Sequence, residues 1–401
     1  MTDSSPIAVE TPFARLWRRP HYRGFVLTVV LSRTTAMMFS TAGVLLVLAR
    51  TGSAPLAGLT AAAAVLPGAL TGPMLGAWVD VAHRRRALIV FDQLLSVIAL
   101  VGIVALAGHA PDWTLPAVAV LYGITRPLSS GSFFSAVAEL AGPELLDHAS
   151  QVEATSLNLS VIVGPALAGV LVGAIGAGPT VHLQAALTAL AAVLIAVNPA
   201  FEAHGEERPP SILHAVRHGL RALRRQRELL ATLATSCLAA FGWGLMLVAF
   251  PLYAVRVLGG PASASGYLWA AVAAGSIVGT FALRGEPSLR RVGLSYGLLG
   301  LSALLWTRAH TLGLAMALIG LTGFLEGPAY SGSIALRQRH APPAVRGQVM
   351  TTVSSATGVA LAAGAALGGA VEDPTTLIWL LVAVNLAAAL VLLPTRRGAG
   401  A

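Results

Sequence analysis

Long apolar segments alternate with short polar stretches along almost the whole chain. We predict that twelve of these segments are membrane-spanning helices, because each is close to the roughly 20 residues needed to cross a bilayer. The predicted spans are 23–49, 56–79, 87–107, 114–138, 150–174, 180–198, 230–255, 265–283, 292–307, 311–334, 347–371 and 375–393. The predicted fold class is therefore an all-α polytopic membrane protein with twelve transmembrane helices in two six-helix bundles.

The longest polar stretch divides the spans into two sets of six and sets the predicted domain boundaries. These are an N-terminal tail 1–22, a first bundle 23–198, a linker 199–229, a second bundle 230–393 and a C-terminal tail 394–401. The linker sequence SILHAVRHGLRALRRQREL has one apolar and one arginine-rich face. That pattern predicts an amphipathic helix lying on the inner membrane surface.

Short sequence matches relate the two bundles. The segment 122–125 (YGIT) recurs as 319–322 (IGLT), and Gln151-Val152 recurs as Gln348-Val349, each pair 197 residues apart. Matches in register within corresponding spans indicate two parallel repeats, so we expect the bundles to be pseudo-symmetric.

Composition and charge support a membrane protein and give its orientation. Hydrophobic residues make up 56% of the chain and charged residues 11%, against about 25% charged in soluble domains. All 26 basic residues are arginine, and 21 of them fall on the predicted inner side, against three on the outer side. This bias predicts cytoplasmic termini in the plasma membrane, and it is an orientation signal rather than a nucleic-acid surface.

The sequence offers little support for an enzyme, a metal site or a cofactor. Cys237 is the only cysteine, so no intrachain disulfide is expected. His214 and His218 have metal-ligand spacing but lie in the arginine-rich linker. Neither a phosphate-binding Gly-Lys-Ser/Thr loop nor a catalytic triad is indicated.

The stretch 68–88, GALTGPMLGAWVDVAHRRRAL, carries the most informative motif. Glycines at 68, 72 and 76 are four residues apart and share one helix face, which allows close packing of a second helix. Asp80 follows one turn later, and a short arginine-rich loop comes next. The pattern resembles the loop motif between helices two and three of the major facilitator superfamily, although Val81 and His83 depart from its usual form.

This resemblance implies a gate at the inner membrane face. In the family the motif keeps the inward gate closed, and its Asp packs against the N-terminus of span eleven, here near Arg346. The alternative is that the arginines only anchor the topology. The implied gating residues are Gly72, Gly76, Asp80, Arg84 and Arg85.

Four charged residues lie at least five residues inside the ends of predicted spans, and a charge costs roughly 2.5–3.5 kcal/mol at mid-bilayer. They are Arg33, Asp92, Arg126 and Glu326. The resemblance implies that spans one, four, seven and ten line a central cavity, which makes these residues candidates for a substrate or proton pathway. Glu326 is the expected proton carrier. The alternative is a static ion pair between Asp92 and either Arg33 or Arg126.

Two further patterns bear on the transported compound. Gly164, Pro165 and Gly169 in span five resemble the Gly-Pro motif of antiporters in the same superfamily, which favours export over import. The alternative is the ordinary glycine and proline content of membrane helices. Trp243 and Met246 in span seven form either an adaptable apolar wall for the substrate or simple core packing.

The resemblance as a whole implies a secondary transporter of the drug-efflux type. We expect export of a small organic compound by proton antiport through alternating access, with the lipid bilayer and protons as further partners, and a monomer. The alternatives are metabolite uptake by symport or facilitated diffusion, and a non-transporting receptor or intramembrane enzyme on the same scaffold.

The motif yields a test at Asp80. Replacing Asp80→Asn removes the charge that favours a helix N-terminus and a nearby arginine, so we expect transport to fall while the amount of protein in the membrane stays unchanged. Flux and membrane abundance are measured in the same preparation. Transport at the wild-type rate would argue against the gate.

Overall fold

The computed structural model describes residues 11–80, 82, 84–142, 144–202, 226–283, 285–341, 346–371 and 373–392. Within these ranges all regular secondary structure is helical. The first-half helices are α1 (Pro12–Arg18), α2 (Tyr22–Thr51), α3 (Ala54–Asp80), α4 (Arg85–Leu106), α5 (Thr114–Ile124), α6 (Arg126–Ala141), α7 (Leu146–Ile175) and α8 (Ala177–Val197). The second-half helices are α9 (Arg227–Arg256), α10 (Ser265–Ala282), α11 (Leu289–Ala303), α12 (Leu312–His340), α13 (Arg346–Ala370) and α14 (Pro374–Leu392). The amphipathic helix predicted for the linker falls mainly on residues outside the described ranges.

In the described residues, ten helices are long and apolar enough to cross a membrane, and two predicted spans are divided. Span four is broken at Thr125 into α5 and α6, next to Pro127, which has no backbone N–H to donate to the preceding turn. Span nine is α11 followed by the 3₁₀ turn Leu304–Arg308. Counting each divided span once gives twelve in the described part of the chain. The fold class predicted from the sequence is confirmed.

Two helix contacts provide most of the packing between the halves. The helices of each half pack mainly on one another, while α3 packs on α13 and α7 packs on α10 across the boundary. These contacts are equivalent, because each joins the second span of one half to the fifth span of the other. The arrangement agrees with the pseudo-symmetry that the sequence matches predicted.

The apolar core is continuous at one end of the molecule and divided at the other. At the end that carries the turns at Gly52 and Gly259, one buried cluster includes residues of both halves, such as Leu45 and Phe250. We call this the closed end. At the opposite end, called the open end, the buried clusters stay within one half each. The described residues are therefore joined by a common core only at the closed end.

Glycine permits the close approach of the two halves at this closed end. Gly169 of α7 lies so near Gly266 of α10 that a Cβ atom on either residue would overlap the backbone of the other. Gly58 of α3 and Gly369 of α13 meet in the same way. Small residues let membrane helices gain contact area where no water drives association.

This packing predicts the effect of a larger side chain at the α7–α10 contact. We expect Gly169→Leu to push α7 and α10 apart, so that the halves separate at the closed end. Spin labels at Asp112→Cys and His310→Cys, both exposed in the connections between helices of opposite halves, would report a longer distance. The labels are placed in a Cys237→Ser background because Cys237 is the only native cysteine.

Gly313→Leu is the matched control, because a Cβ atom there meets nothing within 4 Å. It should leave the distance between the labels unchanged. Equal distances in the Gly169 and Gly313 variants would contradict the role assigned to the glycine contact.

Candidate functional site

Five successive residues of α2, positions 32–36, hydrogen-bond to four neighbouring helices. We call this segment the polar turn. Ser32 donates to Gln93 of α4 at 3.1 Å, Arg33 donates to Glu153 of α7 at 2.5 Å, and Thr34 donates to Ser160 of α7 at 3.2 Å. The carbonyl of Thr35 accepts from Gln184 of α8 at 2.8 Å, and the carbonyl of Ala36 accepts from Tyr122 of α5 at 3.2 Å. Because water is scarce inside a membrane bundle, such bonds fix how the helices are placed relative to one another.

Arg33 forms a buried ion pair with Glu153. The two side chains are each 6% exposed, and their charged atoms are 2.5 Å apart. Arg33 also donates to Ser156 at 3.0 Å and lies 5.5 Å from the ring centroid of Phe133. Sequence reasoning missed Glu153, because it lies at the edge of the predicted span 150–174, whereas α7 begins earlier, at Leu146.

Asp92 of α4 is held by neutral donors and is 1% exposed. Its carboxylate accepts from Thr125 at 2.7 Å, from Gln93 at 3.1 Å and from Ser129. Within the described residues it makes no ion pair, so the static pair with Arg33 or Arg126 considered above is not what the structure contains. The break at Thr125 turns that hydroxyl toward Asp92.

Arg126 is the first residue of α6 and is half-buried. Its guanidinium carbon lies 5.5 Å from the ring centroid of Tyr122, and Nη1 donates to the Tyr122 hydroxyl at 3.5 Å. At the break, the hydroxyl of Thr71 on α3 donates to the carbonyl of Ile124 at 3.2 Å. In the described part of the chain Arg126 has no carboxylate partner. The positive charge of Arg126 is therefore available to an anionic group.

Glu326 of α12 lies inside the second half and is 8% exposed. It accepts a hydrogen bond from the indole N–H of Trp243 on α9. The Trp243 ring packs against Trp269 of α10, with centroids 5.1 Å apart. Met246 and Phe250, one and two turns further along α9, are buried in the core. Core packing therefore accounts for those two, and Trp243 is the aromatic residue that touches a carboxyl group.

The predicted gating residues have different surroundings. A side chain at Gly72 would touch Ser355 of α13, so Gly72 faces the other half. Arg85 is 2% exposed and forms a bidentate pair with Glu139 of α6 at 2.6 and 2.8 Å, and it also donates to the carbonyl of Glu202. This arginine thus ties together three segments of the first half rather than bridging the two halves.

The remaining members of the predicted gate are only partly visible. Asp80 is the last residue of α3, Arg84 is exposed directly before α4, and Arg346 is the first residue of α13. The surroundings of Gly76 and the side chains of Asp80 and Arg346 lie outside the described set, so the gate stays a prediction.

The predicted antiporter-like motif divides between two contacts. Gly164 packs on α2 beside Met37, inside the first half, whereas Gly169 packs on α10 of the second half. Pro165 lies between them, buried within α7. The motif therefore belongs to α7, the helix that carries Glu153. One end of the motif packs beside the polar turn and the other end packs on the second half.

Comparison with known sequences points to transporters. A profile of the Major Facilitator Superfamily matches residues 25–293. An uncharacterized MFS-type transporter, y4rN, of Sinorhizobium fredii is 28% identical over 370 residues, covering 90% of each chain. Multidrug efflux pump Tap of Mycobacterium tuberculosis is 29% identical, covering 82% of this chain and 81% of its own. Macrolide efflux protein A of Streptococcus pyogenes is 24% identical, covering 81% and 82%.

Solved structures of similar shape support the fold. A bacterial homolog of the human lysosomal transporter Spinster, inward-facing and unoccupied, has a TM-score of 0.69 at 14% identity, covering 95% of this chain and 99% of its own. The nucleoside transporter NupG has a TM-score of 0.71 at 12% identity, covering 92% and 98%. At these identities the likeness concerns the fold alone.

The buried pair yields a stability prediction. Glu153→Gln leaves the Arg33 cation buried without its carboxylate, so we expect the free energy of unfolding to fall by about 3–5 kcal/mol. The measurement is denaturant or heat unfolding of the purified protein. Glu144→Gln is the control, because Glu144 pairs with Arg15 where the two side chains are 74% and 48% exposed, and such pairs contribute about 0–1 kcal/mol. Equal losses in the two variants would contradict the assignment.

Proposed function

This chain belongs to the Major Facilitator Superfamily and is a membrane transporter, and from that premise we propose that it exports a small organic compound by proton antiport. In the proposed mechanism the bundles 23–198 and 230–393 rock about a central site, which opens to one side of the membrane at a time. We further propose that the protein acts as a monomer in the plasma membrane, with both termini in the cytoplasm.

The divided core supports alternating access. The halves share one apolar core at the closed end and have separate cores at the open end. The orientation inferred from the arginine bias assigns the closed end to the outer side. Two halves that meet at one end through glycine contacts can separate there if new contacts form at the other end. The stretch from Gly72 to Arg85 is the proposed site of those new contacts.

The direction of transport is proposed from the relatives. Two of them are named as efflux pumps, one for multiple drugs and one for macrolides. The span-five motif resembles that of antiporters and supports the same direction. The chemical identity of the exported compound does not follow from these names.

The carboxyl group of Glu326 is the observation that carries the proton-antiport proposal. Glu139 and Glu153 each hold an arginine, so protonation of either would break an ion pair. Glu326 has an indole N–H as its partner and, among the described residues, no cation to lose. A buried carboxyl of this kind can take up and release a proton at lower structural cost.

Proton uptake at Glu326 can also change the positions of the aromatic side chains near the proposed substrate site. Its partner Trp243 belongs to the aromatic group with Trp269, so a change in the carboxyl can shift the indole. Arg126 in the first half is a second proposed pathway residue, while Arg33 and Asp92 are proposed to position it through the polar turn. Substrate binding at Arg126 and proton binding at Glu326 would thereby act on helices of opposite halves.

The proton role of Glu326 is tested with the Glu326→Gln variant in proteoliposomes. With the macrolide erythromycin as probe, we expect accumulation driven by a pH gradient to be lost, because glutamine cannot exchange a proton. Counterflow without a gradient should persist, because the amide keeps the size of the side chain. An internal pH dye reports proton movement in the same vesicles.

Glu286→Gln serves as the matched control, since Glu286 is 88% exposed and only loosely paired with Arg339 at 3.5 Å. It should transport and couple as the wild type does. Retention of full proton coupling in Glu326→Gln would remove Glu326 from the proposed role, and movement of protons with the macrolide in the same direction would favour symport.

A further inference from the structure

Three arginines in the described residues are buried, and one of them differs from the other two. Arg33 and Arg85, both in the first half, are paired with the carboxylates of Glu153 and Glu139. Arg337 in the second half is 6% exposed and has no carboxylate partner among the described residues. Arg337 lies three residues beyond the predicted span 311–334, on the side counted as cytoplasmic, whereas the structure places it within α12.

The guanidinium of Arg337 is surrounded by neutral groups. Its Nη1 donates to the hydroxyl of Ser236 on α9, and its Nε is buried without a hydrogen-bond partner. The hydroxyls of Tyr296 and Tyr330 and the thiol of Cys237 are near enough to interact with it electrostatically. A buried cation with an unused donor is unfavourable unless an anion completes the site.

An anion could reach Arg337 from the open end. Tyr330 is 42% exposed, and Ser236 and Cys237 are half-buried. Glu326, Tyr330 and Arg337 lie at spacings of four and seven residues along α12, which places them on one helix face. This face continues for about 16 Å from the proposed proton site to Arg337.

We propose that Arg337 binds a carboxylate group of the transported compound at the open end of the second half. Because Ser236 occupies Nη1, Nε and Nη2 are left to donate to two carboxylate oxygens in the fork geometry that arginine favours. The Tyr330 hydroxyl lies on the same helix face and can donate to the same anion. This assignment rests on the proposed transport function, to which it adds compounds carrying an acidic group as a class of substrate.

The single native cysteine makes the site directly measurable. Cys237 is reacted with an anionic methanethiosulfonate, the sulfonatoethyl reagent, and with its cationic trimethylammonioethyl counterpart on the full-length purified protein. Near the Arg337 cation we expect the ratio of anionic to cationic rates to be high, and to fall roughly tenfold in Arg337→Gln. Arg337→Lys keeps the charge and should keep most of the preference.

Arg339→Gln is the control, because Arg339 is two residues away, exposed and paired with Glu286. It should leave the rate ratio unchanged. A ratio that is equal in the wild type and in Arg337→Gln, or a Cys237 that does not react in the wild type, overturns the site.

Ligand protection then identifies the anion. Benzoate should slow the reaction of Cys237 with neutral methyl methanethiosulfonate in the wild type and in Arg339→Gln, and should not do so in Arg337→Gln. Its neutral counterpart benzamide should protect none of them. Equal protection by benzamide, or no protection by benzoate, overturns the proposal.

Reconstitution into vesicles of defined composition tests whether the bound anion is a lipid headgroup instead of a substrate carboxylate. Vesicles of phosphatidylcholine alone are compared with vesicles that also contain phosphatidylglycerol, both without benzoate. Protection that depends on phosphatidylglycerol would assign Arg337 to a lipid headgroup and overturn the substrate role. None of these measurements needs transport, so the Glu326 flux experiment can fail while the anion site stands, and the reverse also holds.

Discussion

The first half of the protein depends on the polar turn of α2. Within little more than one helical turn, residues 32–36 hydrogen-bond to α4, α5, α7 and α8. Because hydrocarbon offers no partner for these groups, each bond is made within the protein or lost at a cost. Arg33 adds the strongest of these contacts, since its charge is compensated only if α7 brings Glu153 to it. The bundle is therefore organised around one segment rather than held evenly along its helices.

The two halves have the same helix order but use their charged residues differently. In the first half the buried arginines Arg33 and Arg85 are matched by glutamates, and Asp92 is satisfied by three neutral donors. In the second half Glu326 and Arg337 have neutral partners in the described part of the chain. A compensated charge fixes a structure, whereas an uncompensated one can bind a proton or an anion. We infer that the first half supplies most of the scaffold, with Arg126 as the exception, and that the second half supplies most of the chemistry.

The glycine contacts between the two halves favour motion of one half relative to the other. Their closest contacts are between glycines, as at Gly169 with Gly266, and involve backbone atoms without interlocking side chains. Contacts of this kind can be broken without unlocking side chains, but separation at the closed end also divides the shared apolar core that includes Leu45 and Phe250. At the open end each half has its own apolar core, so separation there exposes no shared core among the described residues.

The sequence by itself determined the membrane class, the twelve spans and the pseudo-symmetry, because length, apolar composition and short repeats are properties read along the chain. It also singled out Arg33, Asp92, Arg126 and Glu326, since any charge inside a span needs a reason. Only the tertiary structure decided their partners, which included Glu153, far along the chain at a span edge. It also showed that Arg337, three residues beyond the predicted span 311–334, is buried within α12. Compensation of a charge depends on which helix faces it, and that is set by packing in three dimensions.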